Sequence, residues 1–429
     1  MLGIGALSVY HGRFVADERY DFFSSFRFPW AVGFVAALVV CAYALGIPGQ
    51  RPSRGGAWVG ALGAVAAGAV FLSICQLVVG SPLLPRLVIL GASAVLVPWF
   101  VLCCRLADDV SRREREQTRV IVVGDLADVS PLWIDLETSP ERPATVVGMM
   151  TPDEARLGPT VRPLIDAVVA TGANLVVLDR FALAEATVVR QAARLHERGV
   201  RVRSLSEFSA QWMGKLPASE LERASLMFDI AEVHGGRYAP VKRVIDVACG
   251  LACLVLAVAV APLVALANVV GDSGPLLYRQ PRVGKGGAVF MIVKFRTMRV
   301  NGAPTTWTTQ DDPRITRVGR LLRRAHLDEL PQGWNILRGE LSIVGPRPEQ
   351  PEYVAELSQK LPFYGMRHLV RPGLTGWAQV KYGYAGDNAD ALEKLQYEFH
   401  YLERQSLSFD LRIMARTARS VFGGAGAGR

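Results

Sequence analysis

The sequence predicts a membrane protein in three parts: an α-helical membrane region at the front, an α/β domain in the middle, and an α-rich C-terminal part that carries one more apolar element. Three observations carry this. Hydrophobic residues make up 50% of the 429-residue chain and mean hydropathy is +0.23, too apolar for a wholly soluble protein. Apolar runs of bilayer length are confined to residues 28–104 and 244–270. Between Arg119 and Glu207, short β-branched runs alternate with helical ones.

The front holds apolar runs at 28–47, 57–79 and 83–104, each near the roughly 20 residues that span a hydrocarbon core. The second is rich in Gly, Ala and Val, which suits close helix packing in lipid, and Arg86 at the start of the third can snorkel. Arg105, Arg112, Arg113, Arg115 and Arg119 follow the third run, so that end is expected in the cytoplasm. Counting back puts the loop with Arg51 and Arg54 inside, the uncharged turn 80–82 outside, and the charge-balanced residues 1–27 outside as well. The membrane region is therefore expected over 1–110 as about three helices, with no cleaved signal peptide.

Composition excludes several classes. All six cysteines lie in apolar runs without metal-ligand spacing, against a disulfide scaffold or a zinc site. The formal charge of +9 comes without an aromatic RNA-binding pattern, so nucleic acid is not an expected partner. Anionic headgroups of inner-membrane lipids and phosphate substrates fit the basic residues better.

Over 111–207 the order is RVIVVG, ATVVGMM, a helix near 162–171, NLVVLD, a helix near 184–198, then VRVRSL, which is βαβ periodicity and implies a parallel sheet. Only Gly124 follows the first strand, so the glycines that let a backbone approach a pyrophosphate are missing. A degenerate Rossmann-like domain used in packing, assembly or regulation is expected, and residues 208–236 read as a connector.

The apolar element 244–270 contains Asp246 and is interrupted by Pro262. Its length favours a full crossing. Topology favours a dip into one leaflet and back, because a crossing would carry the following arginines outside; a proline-bent helix permits this where protein satisfies the freed carbonyls. The residues leave both open.

The stretch 312–349, DPRITRVGRLLRRAHLDELPQGWNILRGELSIVGPRPE, sets the acid pair Asp328 and Glu329 among Arg314, Arg317, Arg320, Arg323, Arg324 and Arg347. Guanidinium groups match phosphate oxygens through paired hydrogen bonds, which suggests phosphate chemistry beside a carboxylate nucleophile. A solvated basic helix is the plain alternative.

Together, KRVIDVACG, GPLLYRQPRVGKGG, MIVKFRTM, the DPR to LDELPQ segment, GPRPE and RPGLTGWAQV resemble the bacterial sugar transferases, the monotopic phosphoglycosyl transferases, over about 241–422. The front and middle resemble the long-form members that initiate exopolysaccharide, O-antigen or capsule assembly. The resemblance implies a phosphoglycosyl transferase domain over 237–422 and a re-entrant hairpin at 244–270, and the glycine-rich residues 423–429 read as a flexible tail. It implies transfer of sugar 1-phosphate from a UDP-sugar to undecaprenyl phosphate with release of UMP, on the cytoplasmic face of the bacterial inner membrane. Asp328 would be the nucleophile, forming an aspartyl-phosphosugar intermediate, with Glu329 as its partner. Glu329 with Asp328 would hold magnesium, or manganese in its place. Lys294, Arg296, Arg314, Arg317, Arg320, Arg323 and Arg347 would contact phosphate or substrate, as would Glu398, where many members carry aspartate. A homodimer is compatible with the chain, although no heptads specify one. Competing readings are a non-catalytic scaffold or regulator of polysaccharide assembly, opposed by the intact acid pair, and a nucleotide-sugar oxidoreductase, opposed by the missing glycines.

Overall fold

A computed structural model describes residues 2–16, 21–44, 54–79, 84–125, 129, 132–136, 142, 144–156, 162–217, 238–271, 274–299, 314–361, 363–382 and 388–422. Arg51, the turn 80–82, most of the connector, Asp312, Pro313 and the tail lie outside the described residues. The chain divides into two units, Met1–Arg113 with Ala415–Ala425, and Glu114–Met414 with Gly426–Arg429.

In the first unit, helices Arg27–Ala44 and Arg54–Val79, with the front of Arg86–Gln117, match the three apolar runs. Ala31, Phe34, Leu38, Leu72, Val88 and Ala92 form their shared core. A Cβ on Gly68 would lie 2.6 Å from the Leu38 side chain, so glycine lets these two helices meet. Leu62, Val70, Leu90 and Val95 face outward, an arrangement suited to lipid as the solvent. Among the described residues, Leu87–Leu106 is long and apolar enough to cross a membrane, and Arg27–Ala42 and Gly60–Val70 are shorter apolar helices. One element was not anticipated: residues Leu2–Tyr10 are helical, and Ile4 is buried in the same core.

The α/β domain holds the parallel sheet expected from its alternating runs. Strands β1 (Arg119–Val123), β2 (Thr145–Met150), β3 (Leu175–Leu178) and β4 (Arg201–Ser204) form a parallel sheet in the order β2-β1-β3-β4. The central β1 and β3 are apolar on both faces because helices cover both. Leu164, Ile165, Val168, Val188, Ala192 and Leu195 pack on one face, and Leu205, Phe208, Trp212 and Met213 on the other. Packing therefore continues past Glu207, where the sequence reading ended the domain: Phe208 and Trp212 stack at 4.9 Å and belong to its core, not to a connector.

Strand order reverses between β1 and β3, the place where open α/β sheets take ligands. Here Asp179 fills it. Fully buried, it accepts the Asp125 N–H at 2.8 Å and the Ala182 N–H at 2.7 Å, capping the helix Arg180–Ala184. A Cβ on Gly124 would stand 2.8 Å from the Asp179 carboxylate carbon, so this glycine makes room for a carboxylate of the protein's own.

In the C-terminal part, one helix runs over Tyr238–Gly271 with Pro262 inside it, and its stretch Tyr238–Val269 is long and apolar enough to cross a membrane. Its polar end is gripped by residues 336–344 and Asp410. Arg243 donates to the carbonyls of Ile336 and Leu337 at 2.7 and 2.8 Å, satisfying the end of helix Gly333–Arg338. Lys242 reaches the Val344 carbonyl and Asp410. Asp246, an acid inside an apolar run, accepts from Ser342 Oγ and the Ile343 N–H at 2.8 and 2.9 Å. Nearer the other end, Ala257 and Val264 pack with Phe295 and Leu322. Strands β5 (Leu277–Val283) and β6 (Val289–Phe295) make an antiparallel hairpin, and β7 (Ser342–Val344) pairs in parallel with β8 (Gly373–Thr375).

Candidate active site

Asp328 and Glu329 lie on a tight helical segment, Leu327–Gln332, between helix Arg317–Arg324 and helix Gly333–Arg338. His326 enters it with φ 52°, a left-handed conformation that a non-glycine residue adopts only under tertiary constraint. That turn directs the chain inward, so Asp328 is buried within an otherwise arginine-rich stretch.

Three separate elements meet the pair. Lys294, near the end of β6, places Nζ 3.0 Å from Glu329 Oε1, and Arg347 stands 3.9 Å from the same oxygen. Burial would raise the Glu329 carboxyl, but Lys294 and Arg347 outweigh it and bring the group down to about 2. Asp328 moves the other way: burial first, then the neighbouring Glu329 charge, push its pKa up against Lys294 and Arg323. Two adjacent carboxylates are thus held in different states, Glu329 neutralised by cations and Asp328 raised in energy as an anion. Adjacent acids whose environments push their pKa values apart are suited to different roles.

The other predicted residues divide. Arg323 donates Nε to Thr297 Oγ1 at 2.9 Å and its charge acts on Asp328. Arg296 is buried and donates to the Pro275 carbonyl at 2.9 Å, tying down the chain after the long apolar helix. Arg317 and Arg320 are exposed on their helix, while Gly319 and Leu322 face inward. Arg314 is half-buried, and its carbonyl accepts the Arg299 N–H.

Glu398 has a different place from the one expected. Both of its oxygens are taken by Arg367, at 2.7 and 2.9 Å, in a pair that is 2% and 3% exposed. Arg367 also donates to Tyr364 Oη at 2.5 Å and to the Arg347 carbonyl at 2.9 Å. Glu398 therefore meets the site through Arg367, which holds the backbone that presents Arg347. Arg282 supports the same turn through the Pro348 carbonyl at 3.0 Å, and Lys394 pairs with Glu349 at 2.5 Å. Against its burial, Lys394 and Arg367 bring the Glu349 carboxyl down to about 2. Sequence reasoning missed Arg367, Arg282 and Lys394 because the turn residues they hold lie 20 or more residues away.

The donor set suits a hard divalent cation. Both cationic contacts of Glu329 fall on Oε1, and Asp328 adds an adjacent carboxylate; one or two carboxylates completed by substrate phosphates is the environment magnesium takes. Among the described residues no group of three or more His, Cys, Asp or Glu could hold a metal alone.

A family model described as bacterial sugar transferase matches residues 237–424. A protein of Aeromonas hydrophila named UDP-N-acetylgalactosamine-undecaprenyl-phosphate N-acetylgalactosaminephosphotransferase is 40% identical over 192 residues, 44% of this chain and 45% of the relative. The likeness thus spans less than half of that protein's length. A UDP-glucose:undecaprenyl-phosphate glucose-1-phosphate transferase of Caulobacter vibrioides is 42% identical over 184 residues, 42% of this chain and 69% of the relative. An uncharacterized sugar transferase of Bacillus subtilis is 39% identical over 148 residues, 34% of this chain and 70% of the relative.

Proposed function

Because the chain belongs to the bacterial sugar transferase family, we propose that it moves a sugar 1-phosphate from a UDP-sugar to undecaprenyl phosphate at a membrane, releasing UMP. The observation that carries this is the buried Asp328 beside a Glu329 neutralised by Lys294 and Arg347, in the part of the chain that the family model matches.

An Asp328 carboxylate oxygen attacks the phosphorus that bears the sugar; the bond to the bridging oxygen breaks and UMP leaves with that electron pair. An oxygen of undecaprenyl phosphate then attacks the same phosphorus, breaking the bond to Asp328 and restoring the carboxylate. Lys294 and Arg347 face the incoming diphosphate once substrate competes with Glu329 for them. Glu329 and Asp328 would hold magnesium, which when bound would neutralise charge developing on the UMP leaving group. Glu329→Gln is expected to raise the magnesium concentration needed for half-maximal UMP release by about tenfold, since one carboxylate ligand is lost. An unchanged magnesium titration would remove Glu329 from the ligand set.

The product, an undecaprenyl-diphosphate sugar, would start assembly of an exopolysaccharide or a related glycan. Incubating membranes that contain the protein with a panel of UDP-sugars, with and without undecaprenyl phosphate, and measuring UMP tests the reaction and identifies the sugar. No UMP from any donor would refute it.

The helix Tyr238–Gly271 is read as re-entrant, entering and leaving one leaflet with the site on the cytoplasmic face. Its support is that both regions of the helix hold the same domain: Arg243 and Asp246 near one end, Val264 towards the other. A helix crossing the bilayer would leave that domain behind. Single cysteines beside Tyr238 and Gly274, in a background without the native six, are expected to react with an impermeant thiol reagent from one side only. Labelling from opposite sides would restore the crossing.

A further inference from the structure

We propose that the α/β domain positions the transferase site, acting through the segment Gly214–Lys215–Leu216, with Lys215 as the positioning residue; this rests on the transferase reading above. The Bacillus relative, matched over 148 residues that make up 70% of it, is too short to hold counterparts of residues 1–217 as well. This chain therefore carries residues ahead of the family match for which that relative has no room, and its α/β domain ends in three residues that contact the transferase region.

Each of the three is engaged. The Gly214 carbonyl accepts the Trp377 indole N–H at 2.6 Å. The Lys215 side chain is 7% exposed, and its ammonium lies 2.7 Å from Asp135 of the α/β domain and 2.9 Å from Glu393 of helix Asn388–Glu403. The Leu216 N–H donates to the Gln396 carbonyl at 3.2 Å, and its side chain packs with Tyr364, Leu395 and Phe399. Burying an ammonium is costly unless its partners are well placed, and these partners come from both domains. Lys215 is thus a clasp between them.

The clasp touches two of the supports of Arg347. On one side, Trp377 comes directly after Gly376, and a Cβ on Gly376 would stand 2.3 Å from the Gly345 carbonyl, while the Gly345 N–H donates to the Thr375 carbonyl at 2.9 Å. The β8 to Trp377 segment therefore lies directly against the turn that ends in Arg347. On the other side, Leu216 shares a buried cluster with Tyr364, whose hydroxyl accepts from Arg367, the residue that holds the Arg347 carbonyl. Meanwhile the ligand crevice of the sheet is filled by Asp179, which occupies the Asp125 and Ala182 N–H groups that an anion would need.

The test uses the full-length protein in membranes, measuring kcat and KM for UMP release together with thermal unfolding. Trp377→Phe removes the indole donor together with part of the buried ring, Lys215→Met removes the ammonium, and Asp135→Asn/Lys215→Met/Glu393→Gln removes the charges of Lys215 and both its partners so that neither carboxylate is left unpaired. Each is expected to lower kcat/KM about tenfold or more by loosening Arg347. Combined with Arg347→Lys, Lys215→Met should add little, because residues acting through one another are non-additive. Wild-type kcat/KM in both Trp377→Phe and the triple variant, or losses from Lys215→Met and Arg347→Lys that simply multiply, would overturn the proposal. Absence of UMP release in the wild type would instead strike the transferase reading.

Discussion

Asp328→Asn is expected to abolish UMP release, lowering kcat by on the order of 10^3-fold or more, as removal of a covalent nucleophile does. An amide has nearly the same shape, so the tight segment Leu327–Gln332 should keep its fold, but it carries no charge to attack phosphorus. Wild-type protein given UDP-sugar without the lipid acceptor should accumulate a sugar-phosphate adduct of one equivalent or less, and mass spectrometry should map it to Asp328. UMP should then exchange into the nucleotide donor in the absence of undecaprenyl phosphate. Full activity in the variant, an adduct on another residue, or exchange that requires the lipid would each exclude a covalent stage at Asp328.

Arg367→Met should act on both stability and chemistry. The substitution keeps most of the aliphatic volume yet leaves Glu398, 3% exposed, without its cation. Breaking a buried ion pair from one side costs about 3–5 kcal/mol, so a clear fall in the thermal midpoint is expected. Arg367→Met/Glu398→Gln removes both charges and should regain much of that stability. It should not regain activity, because the hydrogen bond from Arg367 to the Arg347 carbonyl stays lost. Recovery of stability and turnover together would show that the pair serves packing alone.

Much of this architecture was legible in the chain. The β-branched runs of the α/β domain became strands because apolar residues such as those of Val120–Val123 and Leu175–Leu178 are buried on both faces, a pattern that local periodicity reports. The acid pair stood out for the same local reason, two carboxylates among closely spaced arginines. What was not legible was the division of labour among the cations. Arg317, Arg320 and Arg323 look alike in sequence, yet helical geometry exposes the first two and turns the third towards Thr297. Glu398 and Arg367 lie 31 residues apart, with no local signal that each is the other's partner. The α/β domain extends past Glu207 on two helical turns too short for their period to mark them: Leu205, Phe208 and Trp212 are spaced three and four residues apart, and the sheet beneath them makes them core.

Composition and local order thus settle which segments prefer lipid, which form the parallel sheet, and which carboxylates sit among cations, because each depends on neighbours within a few residues. Which charges pair, which of two adjacent acids is neutralised, and what Lys215 joins were decided by tertiary structure. Electrostatic energy depends on distance and burial, and Lys294, Glu329 and Arg347 acquire both only when β6, the segment carrying Asp328 and the turn after β7 converge.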